Sequence, residues 1–222
     1  MSGLPARVEP FGDAAVLVTI GEVIDPAISR RARAIAAAIN ELRSSDPRFG
    51  RPVPAYASVL VPFDPLGLGS EEASAIVAQA ASHAPERADS GGRLVEIPIR
   101  YGGEDGPDLT AVAAECGLTA ADVVAAHSGI EYEAYFLGFA PGFAYLGRVP
   151  AAIATPRLAT PRPRVPAGSV GIAGEQTGVY PADLPGGWRI IGRTDVRMWD
   201  LERASPALVE PGDRVRFVVV GR

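Results

Sequence analysis

Val165-Pro166-Ala167-Gly168-Ser169-Val170-Gly171-Ile172-Ala173-Gly174, followed at once by Glu175-Gln176-Thr177-Gly178-Val179-Tyr180-Pro181, decides the architecture of this chain. Its apolar runs are only a few residues long and are separated by glycine or proline, so they are too short for helices and read as strands joined by tight turns. The same texture continues on both sides. Residues 132–139, 170–173, 189–191, 196–199 and 214–220 are short apolar stretches between Gly and Pro turns, the pattern of a β-barrel or sandwich.

Upstream of residue 131 the period changes. Residues 108–116 and 119–128 read as two short helices, the second opened by Thr119 with Asp122 in capping-box relation. Further back, residues 7–11 and 14–20 form a hairpin about Gly12-Asp13. Asp25-Pro26 starts an amphipathic helix running to about residue 43, with Ile28, Ala32, Ile35, Ile39 and Leu42 on one face. Residues 56–63 read as a strand, Ser70-Glu71-Glu72 as the cap of a helix reaching about residue 83, and residues 93–100 as another strand. Strands interleaved with two helices over residues 1–100 predict a two-layer α/β sandwich. A boundary near Tyr101-Gly102-Gly103 then leaves residues 101–222 as a barrel domain with two short leading helices.

Composition narrows the function. The 222 residues are 47% hydrophobic, ample for a core, yet no apolar run approaches the roughly 20 residues of a membrane span. Met1-Ser2-Gly3-Leu4-Pro5 lacks the basic start and apolar stretch of a secretory signal, which predicts a cytoplasmic protein. The single cysteine, Cys116, reads as a core thiol, and His83 and His127 belong to no metal-ligand spacing, so no metal is expected. All 21 basic residues are arginine. Without lysine there can be no Schiff base, no lysine base and no Walker A loop. The net charge of −5 argues against nucleic acid. The balance is uneven, with 10 arginines against 19 acids up to Gly147 and 11 against 7 from Arg148 on, so the C-terminal part can host an anion.

Candidate chemistry concentrates between Gly138 and Thr194. Proline stiffens these loops and glycine admits close backbone approach, which suits a pre-formed small-molecule pocket. Arg157, Arg162 and Arg193 are the candidates for anion recognition, because guanidinium binds carboxylate or phosphate in a bidentate fork. His127 is a candidate general acid or base, or else a helix-end residue capping carbonyls. Ser169 lacks the spacing of a nucleophile elbow. The amides of Gly168, Ser169 and Gly187 are instead candidate donors to a developing oxyanion. Phe139, Phe143, Tyr145 and Trp188 exceed the needs of a small barrel core and suggest a partner surface or a pocket shared with a partner.

Phe136-Leu137-Gly138-Phe139-Ala140-Pro141-Gly142-Phe143, Pro166-Ala167-Gly168-Ser169-Val170-Gly171-Ile172-Ala173-Gly174, Gln176-Thr177-Gly178-Val179-Tyr180-Pro181, Pro185-Gly186-Gly187-Trp188 and Ile191-Gly192-Arg193-Thr194 occur in this order. Together they resemble one family: the B subunits of bacterial 5-oxoprolinases and proteins labelled allophanate hydrolase subunit 1. That family also includes the inhibitor of a sporulation histidine kinase and part of the carboxyltransferase region of urea carboxylase. The resemblance covers nearly the whole chain, with Ala144 in place of an expected proline and an unusual Ala182-Asp183-Leu184 filler.

The resemblance implies an α+β protein, a ferredoxin-like N-terminal domain followed by a cyclophilin-like β-barrel. It places a histidine at the His127 position. It implies an amidohydrolase subunit that opens 5-oxoproline, a small cyclic amide, to glutamate with ATP as co-substrate. The partners implied are a sister subunit, the C subunit of an oxoprolinase or subunit 2 of an allophanate hydrolase, and a third subunit. The catalytic machinery is expected across that interface. Two other roles occur in the family, inhibition of a sensor histidine kinase and carboxyltransfer to a urea derivative. A cyclophilin-like fold does not by itself imply prolyl isomerase activity.

Overall fold

The computed structural model describes residues 6–84 and 92–221 and divides the chain into two compact units, Met1–Ser90 and Gly91–Arg222. The first five residues, read above for a secretory pattern, lie outside the described residues.

The first unit contains β1 (Arg7–Pro10), β2 (Ala15–Thr19), α1 (Pro26–Ser45), β3 (Val53–Pro54), β4 (Ser58–Pro62) and α2 (Ser70–His83). Its antiparallel sheet has the order β1-β2-β4-β3. Taken from β2, the path is strand, helix, two strands, helix, and β1 supplies the last strand. This is the ferredoxin-like β-α-β-β-α-β arrangement with its final strand moved to the N-terminus. Alternation puts Val16, Val18, Val59 and Val61 on the covered face, where they meet Ala32, Ile35 and Ile39 of α1 and Ala73 and Val77 of α2. Asp25 caps α1 as the sequence suggests, its Oδ1 accepting from the N–H groups of Ala27 at 2.8 Å and Ile28 at 3.2 Å. The cap of α2 is Gly69 rather than Ser70, with no side-chain bond, and Ser70 is the first helical residue.

The second unit begins with β5 (Leu94–Tyr101), α3 (Leu109–Cys116), α4 (Ala120–Ser128), β6 (Glu131–Leu137) and β7 (Ala144–Leu146). It continues with β8 (Arg162–Val165), β9 (Ser169–Ala173), β10 (Gln176–Val179), β11 (Leu184–Gly186), β12 (Arg189–Arg193) and β13 (Arg214–Val219). Seven strands close a barrel in the order β10-β7-β6-β13-β5-β12-β9, and β8 and β11 form a separate ribbon. The protein is therefore α+β, with a closed β-barrel as its larger part.

The domain boundary differs from the sequence expectation. Residues 93–100 read as the last strand of the first domain, yet β5 pairs parallel with β13 over six residues and antiparallel with β12, so the unit begins near Gly91. The alternation of β5 is equally compatible with either sheet, and only its partners, more than 90 residues away, decide. Residues 196–199 also differ, forming a loop with a single bridge from Trp199 to Ala207 instead of a strand.

Helices α3 and α4 cover the barrel and contribute Leu109, Val112, Ala113 and Val123 to its core beside Ile97, Ile99, Val170, Ile172, Val215 and Phe217. The Thr119–Asp122 capping box is present. Asp108 begins α3 but does not cap it, because its carboxylate is used elsewhere. No single helix among the described residues is long and apolar enough to cross a membrane; α3 and α4 reach that composition only as a pair bent by 95°.

Candidate functional site

Around Phe143 the barrel gathers an aromatic cluster. Phe143, Tyr180 and Trp188 are buried, Tyr145 is half-buried and Phe139 is 57% exposed. Phe143 meets Phe139 at 5.4 Å, Tyr145 at 4.9 Å, Tyr180 at 5.6 Å and Trp188 at 5.4 Å between ring centroids, every pair edge to face. That arrangement sets the positive edge of one ring on the negative face of another. Glycine makes room for it: a Cβ at Gly186 would lie 2.2 Å from the Tyr180 hydroxyl.

Phe139 is held in an unusual backbone. Its φ is 68°, the one positive value at a non-glycine position among the described residues, and the Ala140 N–H donates to Gly138 O at 2.8 Å. A bond spanning one residue of positive φ is the rare, strained form of γ-turn. Strain at a bulky exposed residue, costing on the order of 1–3 kcal/mol, is typical of positions that serve a site.

The arginines separate by their partners. Arg162 Nη2 donates to Asp108 Oδ1 at 2.7 Å, and the other carboxylate oxygen accepts from the Ile190 N–H at 2.6 Å. Asp108 is buried, so this is a clamp joining the start of α3 to β12 and β8, and Arg162 is largely committed to it. Arg193 Nε donates to Ala167 O at 3.2 Å. Arg157 is exposed and makes no hydrogen bond or ion pair among the described residues. Its segment is fixed nonetheless, since the adjacent Leu158 N–H donates to Gly187 O at 2.7 Å, beside Trp188. Burial pushes the Tyr145 and Tyr180 hydroxyls up from the usual tyrosine range, and the positive charge of Arg157 draws both back.

His127 is placed differently. Its ring is fully buried and stacks on Phe217 at 4.6 Å. Thr177 Oγ1 donates its one proton to Gly171 O at 2.9 Å, so at 2.8 Å it accepts from His127 Nε2–H. Nδ1 therefore accepts from the Tyr101 hydroxyl, also at 2.8 Å. Burial lowers the imidazole pKa to about 3. This is a neutral imidazole fixing the end of α4 against the barrel, with neither nitrogen left for a substrate.

Gly168 and Ser169 are also occupied. The Gly168 N–H donates to Tyr180 O at 2.8 Å and the Ser169 N–H to Pro166 O at 3.2 Å, so neither amide is available to an oxyanion. Gly168 serves close packing instead: its φ is +80° and a Cβ there would lie 2.1 Å from Thr194 O. The Gly187 N–H has no acceptor among the described residues.

The structure thus brings Arg157, Arg162, Gly187, Phe139 and Phe143 together, and sets His127, Gly168, Ser169 and Arg193 in supporting positions. Tyr180 and Asp108 belong to the site and were not singled out for it from the sequence. Tyr180 stands in the Gly178-Val179-Tyr180-Pro181 motif, whereas Asp108 carries only a helix-start signal. A cleft of about 550 Å³ lies elsewhere, lined by Arg100, Tyr101, Leu109, Val124, Val219 and Val220 among others. Its wall is mostly apolar, and Arg100 is already bound to Asp105 and bidentately to Asp195, so the aromatic cluster is the better-equipped site. Among the described residues no three His, Cys, Asp or Glu side chains are grouped to hold a metal.

Fold and site together define an α+β protein in which a closed barrel carries an aromatic cluster edged by arginine. The chain belongs to the family described as carboxyltransferase domain, subdomain C and D, which matches residues 6–209. It is 41% identical to the B subunit of the Bacillus subtilis 5-oxoprolinase over 96% of this chain and 92% of that one. It is 58% identical to the B subunit of the Escherichia coli O157:H7 5-oxoprolinase over 126 residues, which span 57% of this chain and 58% of the relative. Among solved structures, TTHA0988 is 39% identical with a TM-score of 0.81, covering 94% of this chain and 40% of that one. The urea amidolyase of K. lactis shares the fold, with a TM-score of 0.78 at 20% identity over 99% of this chain and 15% of that one.

Proposed function

We propose that this chain is one subunit of a complex that hydrolyses the cyclic amide 5-oxoproline to glutamate with ATP as co-substrate. The observation that carries the reading is the 41% identity to a protein named as the B subunit of a 5-oxoprolinase, along nearly the full length of both chains. The site is consistent with it. A lactam is a poor electrophile, and phosphorylating its amide oxygen makes it open to water. The aromatic cluster suits a small ring.

The described residues offer little support for a nucleotide cradle within this chain. There is no lysine, and the Gly168 and Ser169 amides that could have faced a phosphate are spent on Tyr180 and Pro166. We therefore assign ATP to a partner, either the sister C subunit or a third subunit, and assign this chain the positioning of the amide. His127 and Arg162 act in this reading through structure, His127 by holding α4 and Arg162 by holding Asp108.

The test is co-expression with the sister and third subunits, measuring ATP-dependent release of glutamate from 5-oxoproline by the assembled complex and by each protein alone. Turnover restricted to the assembly is expected. No turnover from a well-folded complete complex would sink the reading.

A further inference from the structure

We infer that Arg157, Tyr180 and Gly187 form the subsite for the carboxylate of the substrate, a donor-only cradle set against the aromatic cluster. The inference rests on the reading above that this chain positions a small cyclic amide, and it names the group by which that amide is held.

Arg157 is the starting point. From Arg148 to Arg193 the barrel unit carries six arginines, and five of them have an acid or a carbonyl as partner: Glu175 for Arg148, Asp108 for Arg162, Asp183 for Arg164, Glu115 for Arg189 and Ala167 O for Arg193. Arg157 alone of the six has none among the described residues. Its backbone is nevertheless tied down on both sides, through Leu158 N–H to Gly187 O at 2.7 Å and through Pro156 O, which accepts from Arg189 Nε at 3.3 Å. A guanidinium on a fixed segment with its five donors unspent suits a bidentate acceptor.

The neighbouring groups have the same polarity. No acceptor among the described residues receives the Tyr180 hydroxyl proton, and the Trp188 N–H faces that hydroxyl's oxygen. The Gly187 N–H is likewise without an acceptor. The positive charges acting on the Tyr180 hydroxyl are those of Arg157 and Arg162, and Arg157 acts on the Tyr145 hydroxyl as well. Arg162 is balanced by Asp108, but the Arg157 guanidinium, the Tyr180 hydroxyl and the Gly187 N–H have no acid as partner among the described residues, and such a set of donors is complementary to a carboxylate. Gly186 maintains it, because any side chain there would displace the Tyr180 hydroxyl 2.2 Å away. Phe143, Tyr145 and Trp188 then present aromatic edges and faces to the rest of a small ring.

Two measurements test this, one of which needs no partner. Both tryptophans, Trp188 and Trp199, lie in the barrel unit, so the free chain can be titrated by fluorescence with 5-oxoproline and with 2-pyrrolidinone, the same lactam without its carboxylate. Saturable quenching by 5-oxoproline, no response to 2-pyrrolidinone at tenfold higher concentration, and loss of the signal in Arg157→Ala are expected. In the assembled complex, Arg157→Ala should raise KM for 5-oxoproline roughly 10- to 100-fold, the range for losing a charged hydrogen-bonding partner, with kcat changed far less. Tyr180→Phe should raise KM by a smaller factor, and Arg157→Lys should recover only part of the loss.

Equal binding of the two lactams, or an unchanged KM in Arg157→Ala, would overturn the subsite while leaving the 5-oxoprolinase reading intact. Carboxylate-dependent binding that requires Arg157, in a chain whose complete complex releases no glutamate, would keep the subsite and reject that reaction. A chain that neither binds 5-oxoproline nor supports turnover rejects both.

Discussion

Acid should loosen the barrel unit through His127 before it affects the carboxylates. In the folded state the imidazole is neutral down to a pKa of about 3, because it is fully buried and its Nδ1 is occupied by the Tyr101 hydroxyl. Unfolded, it returns to a value of about 6.5. Below that value the unfolded chain binds a proton that the folded chain refuses, so stability is complete above pH 6.5 and falls as pH drops toward 3. The slope is about 1.4 kcal/mol per pH unit, which gives a loss of about 2 kcal/mol at pH 5. The lowered carboxylates of this unit, Asp122, Glu131, Asp183 and Asp195, titrate in the unfolded chain near 4, so their losses lie mostly below that window. Urea unfolding followed by tryptophan fluorescence between pH 7.5 and 5 reads this unit alone, since Trp188 and Trp199 are its only fluorescent indoles. His127→Gln should be less stable at neutral pH but should lack the slope. A wild-type midpoint that is flat across the window, or an equal slope in His127→Gln, would refute a buried neutral imidazole.

Asp108→Ala should lower barrel stability by roughly 2–4 kcal/mol, since it leaves the Ile190 N–H and the Arg162 guanidinium without their acceptor; thermal unfolding measures it. Gly168→Ala should cost roughly 2–4 kcal/mol in the same assay, because the new Cβ meets Thr194 O at 2.1 Å and φ is +80°. Phe139→Gly should be more stable than Phe139→Ala by about 1 kcal/mol, as glycine relieves the positive φ and both lose the same exposed ring. Both should bind 5-oxoproline more weakly, and a Gly variant no more stable than the Ala variant would show that φ stores no strain.

Much of the fold is legible in local pattern. The hairpin at Gly12, the Asp25 cap, the Thr119–Asp122 box and the strands expected at 132–139, 170–173, 189–191 and 214–220 depend on neighbours a few residues apart and appear as expected, give or take their ends, whereas residues 196–199 do not form one. Assignments that fail locally are those that a distant partner decides. Strand β5 joins β13, whose register begins with Leu94 opposite Arg214, and nothing within residues 93–100 carries that information. The permuted order of the first sheet is hidden for the same reason, because β1 reads as an ordinary hairpin strand until its neighbour β2 is seen beside β4.

The candidate site follows the same division. Glycine and proline mark which loops approach closely, and the residues from Gly138 to Thr194 do converge. What they do not mark is where each polar group is spent. Gly168 looks like an anion-binding amide and is in fact a close-packing residue whose N–H belongs to Tyr180. Arg157 and Arg162 are alike in sequence, each next to proline. They differ because Asp108, 54 residues before Arg162, supplies a buried acceptor to one and not the other. A partnered guanidinium stabilises the fold and an unpartnered one is free to bind, and telling the two apart requires knowing every acid's place. His127 follows the same logic with the outcome reversed: its chemistry suggested catalysis and its helix position a cap, and Thr177, 50 residues away, together with Tyr101 turned it into a support.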